Sequence, residues 1–287
     1  IHEERNMKKI CIYGKGGIGK STVVANTAAA AAKGGRRVMV IGCDPKADTT
    51  RVLMRGSVET ILDVHARLGG VGLSVEDIAH EGVFGVLCME SGGPRAGEGC
   101  AGKGIALALQ DIREMRIIEN FQPDLILYDV LGDVVCGGFS TPLRARVADT
   151  AYIVTTSDYM SIYAANNITG CIQKYASRGG CKLGGLIYNA RSAVSDSVPV
   201  EEFAQALGTR IVGRIPMDTA ISRAELRKMT VIERSPESEA AKAFKALASF
   251  MLFNEEVVVP SPLGISELEA IGDRIARESF AGEDDLP

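Results

Sequence analysis

The sequence predicts an α/β protein built on one mostly parallel β-sheet with helices packed on its faces. Three observations predict it. Short apolar runs alternate with segments of helical periodicity along the whole chain, which is the pattern of successive βαβ units. The first strand-to-helix junction reads Gly14-Lys-Gly-Gly-Ile-Gly-Lys-Ser21, a glycine-rich loop of the phosphate-cradling form G-x-x-x-x-G-K-[ST]. Acidic residues fall at the C-terminal ends of several apolar runs, where an open α/β sheet binds its ligand.

Lys9–Tyr13 is expected as the first strand, and the alanine-rich Lys20–Lys33 as the first helix. Arg37–Gly42 follows as the second strand, then strands over Val83–Met89 and Asp124–Tyr128, with a helix over about Gly104–Asn120 between them. Ala151–Thr155, Leu183–Tyr188 and Arg210–Ile215 continue the sheet. Helices are expected near Tyr159–Ser177, Val200–Leu207, Thr219–Lys228 and Glu237–Phe253. The last helix, Ile265–Phe280, carries Leu268, Ile271, Ile275 and Phe280 at helical spacing, before an acidic end. No internal repeat or low-complexity linker divides the chain. Residues 1–7 read as a polar leader, 8–260 as one domain, and 261–287 as a C-terminal helix and acidic tail.

Composition narrows the functional classes. A net charge of −4 gives no basic field for nucleic acid or an anionic membrane. No apolar run reaches the ~18 residues of a membrane span, and no secretory signal precedes Met7. A cytoplasmic protein is expected, with neither nucleic acid nor membrane as partner. Seven cysteines, odd in number and irregularly spaced, do not form a disulfide framework. Cys11, Cys43, Cys88, Cys171 and Cys181 fall in apolar strands, a helix or a turn, and read as small buried hydrophobes.

The glycine loop is the strongest signal. Gly14, Gly16, Gly17 and Gly19, with Lys15 and Ile18, let backbone N–H groups close on phosphates at the positive N-terminus of a helix. Lys20 is expected on the β/γ-phosphates and Ser21 on Mg²⁺, with Thr22 beside them. Asp44-Pro-Lys46-Ala-Asp48 follows the second strand and fits a switch loop. One aspartate there could orient the attacking water while the other supports Mg²⁺. Leu125-Ile-Leu-Tyr-Asp129 is an apolar strand ending in a carboxylate near Mg²⁺, and Asp133 could report the γ-phosphate. Singly, each acid could merely cap a turn; together at strand ends they favour a nucleotide site.

Cys100 and Cys136 lie in glycine-rich stretches. Two thiolates cannot complete the four of a [4Fe–4S] cluster, but a twofold dimer would supply four. Lys15, directly after the first glycine, resembles the signature lysine of the deviant Walker A subclass of P-loop NTPases. That resemblance implies face-to-face dimers in which the lysine reaches the opposite subunit's phosphates.

The chain resembles the nitrogenase iron protein family and its relatives. The matching blocks are Ile12–Thr22, Gly42–Asp48, Glu90–Pro94, Gly99–Gly102, Tyr128–Phe139, Tyr163–Asn167 and Arg223–Val231. The resemblance implies a cytoplasmic homodimer bridged by one [4Fe–4S] cluster on Cys100 and Cys136, and MgATP in each subunit, with Lys15, Asp44 and Asp129 catalytic. It also places Asn189, Pro216, Asp218 and Glu225 near the adenosine. Its partners would be the heteromeric catalytic component of a nitrogenase-like enzyme and a donor such as ferredoxin or flavodoxin.

Two departures bear on the acceptor. Lys103 stands where nitrogenase iron proteins usually carry an arginine, keeping the charge but losing the planar fork. Ser140-Thr-Pro-Leu-Arg-Ala-Arg-Val147 replaces a run that is usually charged. These departures lean toward methylthio-alkane reductase as the best single assignment. The alternatives are a true nitrogenase iron protein and the reductase subunit of protochlorophyllide, chlorophyllide or nickel-sirohydrochlorin reduction. From other classes, a partition-type P-loop ATPase would want a basic tail, and an iron–sulfur carrier ATPase a late C-x-x-C. The chain has neither.

Overall fold

β1 (Lys8–Tyr13) is apolar on both faces: Cys11 and Tyr13 pack into one core, Ile10 and Ile12 into the other. Such two-sided burial is what a central parallel strand requires. The computed structural model describes residues 7–69, 72–93, 101–132, 140–144, 147–192 and 197–280. Past the glycine loop comes α1 (Lys20–Lys33), whose run of alanines lets it lie close to the sheet. Then follow β2 (Val38–Gly42), α2 (Ile61–Leu68), α3 (Val75–Ile78), β3 (His80–Glu81) and β4 (Leu87–Glu90). The chain continues through α4 (Ala101–Glu114), α5 (Ile117–Phe121), β5 (Leu125–Asp129), β6 (Thr150–Thr155), α6 (Tyr159–Ala176) and β7 (Lys182–Asn189). It closes with α7 (Val198–Ala206), β8 (Ile211–Ile215), α8 (Thr219–Glu225), α9 (Val231–Arg234), α10 (Glu239–Phe253) and α11 (Ile265–Phe280).

The strands form one sheet in the order β3-β4-β2-β5-β1-β6-β7-β8. Every described pair of named strands is parallel except β3 with β4. Helices α1, α9 and α10 cover one face, while α4, α6, α7 and α11 pack on the other. In α11, Leu268 and Ile271 are buried in the same core as Cys11 and Tyr13 and Ile275 is partly buried, so its apolar stripe is spent on α6 and α7. Cys11, Cys43, Cys88 and Cys181 are free thiols buried in the cores, and Cys171 on α6 is half-buried. Among the described residues no helix is long and apolar enough to cross a membrane.

Several elements differ from the sequence expectation. The strand expected over Val83–Met89 begins only at Leu87, because Phe84 (φ 55°) and Gly85 (φ 76°) turn the chain through left-handed geometry first. The single helix expected over Gly104–Asn120 starts at Ala101 and breaks before α5, where Arg116 sits at φ 54°. Helices α2 and α3 were not expected. Their starts are signalled by Thr60 with Asp63 and Ser74 with Asp77, a hydroxyl cap followed three residues later by a carboxylate.

Candidate functional site

The glycine loop leaves the C-terminal end of β1 at the sheet's centre and enters α1 at Gly19, whose φ of 92° is left-handed. The Asn189 amide at the end of β7 donates to the Ile18 carbonyl at 2.7 Å. A Cβ at position 19 would stand 2.5 Å from that amide nitrogen, so glycine is needed for both backbone and space. Arg191 Nη1 donates to the Gly17 carbonyl at 2.8 Å. An open cleft of about 270 Å³ lies over Lys15, Gly16, Gly17, Thr156, Asp158 and Arg191. A larger cavity of about 420 Å³ sits between the far end of α1 and α10, lined by Ala30, Lys33, Leu252 and Phe253. It is not the nucleotide cleft, because α1 spans roughly 21 Å from one end to the other.

Lys20, the first residue of α1, is almost wholly buried. Its ammonium lies 2.8 Å from Asp129 Oδ1, and the Asp129 side chain is fully buried. Burial alone would lower the Lys20 ammonium; the Asp129, Asp44 and Asp48 carboxylates outweigh it and hold it above the usual lysine range. Oδ1 accepts no directed hydrogen bond from a described residue, so the ammonium's charge is what holds it. The other oxygen, Oδ2, accepts from Thr49 Oγ1 at 2.7 Å.

Asp44 is buried, and its Oδ1 accepts from the Lys46 N–H at 3.0 Å, folding the loop that follows β2. Lys46 and Asp48 are exposed. Ser21 and Thr22 are half-buried in the first turn of α1. Thr22 Oγ1 donates to Glu225 Oε1 at 2.6 Å, tying α1 to the end of α8. Pro216 lies half-buried just beyond β8. Asp218 uses both oxygens as caps: Oδ1 accepts from Ala220 N–H at 2.8 Å and Oδ2 from Ala240 N–H at 3.2 Å. Asp218 thus has a structural task, since it joins α8 to the start of α10.

Lys15 points toward Asp158, 4.0 Å away, with both side chains about half exposed. A pair so solvated contributes little to stability, which leaves the lysine available. Burial alone would raise the Asp158 carboxyl. Hydrogen bonds from Ser161 and Thr156, with Lys15 opposite, hold it below the usual carboxylate range.

After β5 the chain returns to the glycine loop. A Cβ on Gly132 would fall 2.1 Å from the Gly14 carbonyl oxygen and 2.9 Å from the Lys15 nitrogen. The residue entering the Asp133–Cys136 stretch therefore rests on the phosphate loop's own backbone. Asp133, Cys136 and Cys100 themselves lie outside the described residues; Cys100 immediately precedes α4, and the Lys103 side chain is likewise not described.

Sequence reasoning passed over Glu90, at the end of β4. It is 1% exposed, and its Oε1 accepts from both the Thr50 N–H (2.7 Å) and Thr50 Oγ1 (2.8 Å). Burial chiefly pushes its carboxyl up to about 7; the Thr50 bonds pull it down by less, and Asp129 and Asp48 add to the rise. The signal was an acid ending an apolar strand, the same one used to pick Asp129. Because the raised value belongs to the folded state, folding takes up a proton as pH falls toward the ordinary glutamate range. The associated stability is complete at acid pH and is lost as pH rises through about 7. Between about pH 5 and 8 the wild type should lose about 2 to 3 kcal/mol relative to Glu90→Gln in urea unfolding. A pH-independent gap between the two proteins would contradict this.

Comparison with known proteins adds to this geometry. The profile of the family described as "4Fe-4S iron sulfur cluster binding proteins, NifH/frxC family" matches residues 8–277. The "Nitrogenase iron protein" of Methanococcus voltae is 48% identical over 96% of this chain and 100% of its own length. "Nitrogenase iron protein 2" of Methanothermococcus thermolithotrophicus is 46% identical over 94% of this chain and 96% of its own. Among solved structures, the cell division ATPase MinD of Pyrococcus furiosus aligns with a TM-score of 0.66 at 24% identity, covering 85% of this chain and 98% of that one. That last likeness concerns the fold alone.

Proposed function

From the chain's membership of the NifH/frxC family of 4Fe–4S iron–sulfur cluster binding proteins, we propose that it is the ATP-dependent reductase component of a nitrogenase-type complex. It works as a homodimer that docks on a heteromeric catalytic component and takes its electrons from a ferredoxin or flavodoxin. The observation that carries this reading is the buried Lys20–Asp129 ion pair, with Gly132 resting on the phosphate loop.

Lys20 is the group that phosphates would claim, and here it is bound to the last residue of β5. Drawing its ammonium toward a β/γ-phosphate would release Asp129, which together with the Ser21 hydroxyl would hold Mg²⁺. Thr49 holds Oδ2 throughout, so Asp129 pivots rather than detaches. The loop fits such a ligand: a left-handed Gly19, a helix N-terminus and a buried cation converge on one point. Asp44, folded back on the Lys46 N–H, is the buried acid nearest the task of orienting water. Lys15, solvated in this chain, is free to reach a facing subunit and stabilise charge on the transferring phosphoryl group.

Cys100 and Cys136 are the proposed cluster ligands, two from each subunit. When bound, a [4Fe–4S] cluster supplies one-electron chemistry at low potential. The positive N-terminus of α4 directly follows Cys100 and favours an anionic group there. Asp133 directly follows Gly132 and Cys136 lies four positions beyond it, so movement of Asp129 and Gly132 would be passed along the chain to both.

As to the acceptor, both named relatives are nitrogenase iron proteins matched along nearly their whole lengths, and dinitrogen reduction is the first reading. Methylthio-alkane reduction is kept as the second, on one observation. Ser140, Pro142 and Leu143 are buried, with Ser140 Oγ 2.8 Å from the Tyr175 hydroxyl, where a charged docking run would be exposed. Partition-type activity draws support only from the MinD fold.

The test is the rate at which a ferrous chelator strips iron from anaerobically purified protein. Iron should be present and leave much faster with MgATP than without it. Protein that holds no iron after anaerobic cluster reconstitution would overturn the reductase reading.

A further inference from the structure

Glu90, Gly42 and Asp129 are register partners on three adjacent strands: Gly42 pairs with Glu90 on one side and with Asp129 on the other. The residue between the two acids has no side chain, and the Glu90 carboxyl fills that space; a Cβ on Gly42 would stand 1.8 Å from Glu90 Oε2. Glu90 thus leans across β2 toward Asp129. The loop leaving β2 comes back over this row and is fastened by two consecutive threonines. Thr49 Oγ1 donates to Asp129, and Thr50 donates both its N–H and its hydroxyl to Glu90.

That loop carries Asp44 and Asp48, and it is not relaxed. Ala47 lies at φ 49°, left-handed for a residue with a side chain. Its first residues are held by the Cys43 N–H on the Asp129 carbonyl at 2.9 Å. Its last are held by the threonine pair. Glu90 Oε1 takes two of those bonds while Oε2, also buried, has no hydrogen-bond partner among the described residues. A carboxylate so enclosed does little for the sheet that an apolar side chain would not do better; its placement is explained by the loop it fastens.

We infer that Glu90 is a positioning residue for ATP hydrolysis: through Thr50 it sets the Asp44–Thr50 loop, and with it the acid that orients the attacking water. The inference rests on the ATPase reading above. Phosphate affinity belongs to the glycine loop and Lys20, which Glu90 does not touch. Loss of the fastening should therefore slow hydrolysis without weakening nucleotide binding.

The experiment measures single-turnover release of radiolabelled phosphate by the intact reduced protein docked on its catalytic component, over a range of MgATP concentrations, with thermal melting of the reductase as a control. Glu90→Ala, which removes the acceptor, should lower the rate constant about 30-fold or more while half-saturating MgATP stays within about threefold. Glu90→Gln keeps an oxygen for Thr50 and should recover to within about fivefold of wild type. Thr50→Val, which keeps shape and the backbone donor, should fall about fivefold and serves if Glu90→Ala does not fold. An unaltered rate in Glu90→Ala or Thr50→Val overturns the inference, as does a Gln variant that melts like wild type yet is as slow as Ala. Parallel loss of rate and affinity also overturns it, marking general damage instead. A wild-type protein that holds its cluster yet hydrolyses no MgATP even when docked on the catalytic component would overturn the parent reading, and this inference with it.

Discussion

Lys20→Met is expected to lose MgATP binding and a substantial part of the protein's stability together. The ammonium rests 2.8 Å from Asp129 in this state, and in the proposed cycle it turns to the phosphates in the other. Charge-assisted bonds to phosphate contribute about 1.5 to 3 kcal/mol each, so losing even two lowers affinity by at least about a hundredfold. Without nucleotide, removing the cation strands a carboxylate that is 0% exposed and has, among the described residues, Thr49 alone as a directed donor. Breaking such a buried pair from one side costs about 3 to 5 kcal/mol. The double variant Lys20→Met/Asp129→Asn separates the effects. An uncharged Asn still accepts from Thr49, so the double variant should regain most of the stability while MgATP binding stays lost. Urea unfolding gives the first quantity and equilibrium nucleotide titration the second. A single variant as stable as wild type would show that the ion pair is not what holds Asp129.

Gly132→Ala should have the next largest effect, through geometry rather than charge. The added carbon would meet the Gly14 carbonyl oxygen at 2.1 Å and the Lys15 nitrogen at 2.9 Å, and both are main-chain atoms that cannot rotate away. Either the phosphate loop or the end of β5 must shift. Overpacking of this kind costs about 1 to 3 kcal/mol, and strain carried by the loop becomes a loss of MgATP affinity of about ten- to a hundredfold. Because the same contact is proposed to carry nucleotide state toward Cys136, the MgATP-stimulated part of chelator-driven iron loss should shrink as well. The check is to titrate MgATP to saturation in that assay. Full acceleration at saturation would mean that the contact sets affinity alone and transmits nothing.

The glycine loop could be read without a structure because its chemistry is local. Gly14 to Ser21 are contiguous, and a loop that cradles phosphate with backbone N–H groups needs small residues at set spacing just before a helix. The parallel sheet was equally readable: strands buried on both faces appear as unbroken apolar runs, as Leu125–Asp129 and Val38–Gly42 do. Helices α2 and α3 were missed because they are only eight and four residues long, so the apolar face each presents is too brief to stand out from the loop around it. The strand over Val83–Met89 was drawn too long because Phe84 gives no local warning that it will sit at positive φ.

By itself the sequence determined the phosphate loop, the sheet it hangs from, the pair of cysteines offered as cluster ligands and the family these imply. Each of these is written in neighbouring residues or in a period of two or 3.6. Only the tertiary structure decided that Lys20 rests on Asp129, that Gly132 touches Gly14, and that Glu90 and Thr50 close the switch loop. Those contacts join residues 40 to 118 positions apart, on strands whose lateral order, β4-β2-β5-β1, is not their order in the chain. Which acid faces which is set by strand order and register, and both follow from packing the whole sheet at once.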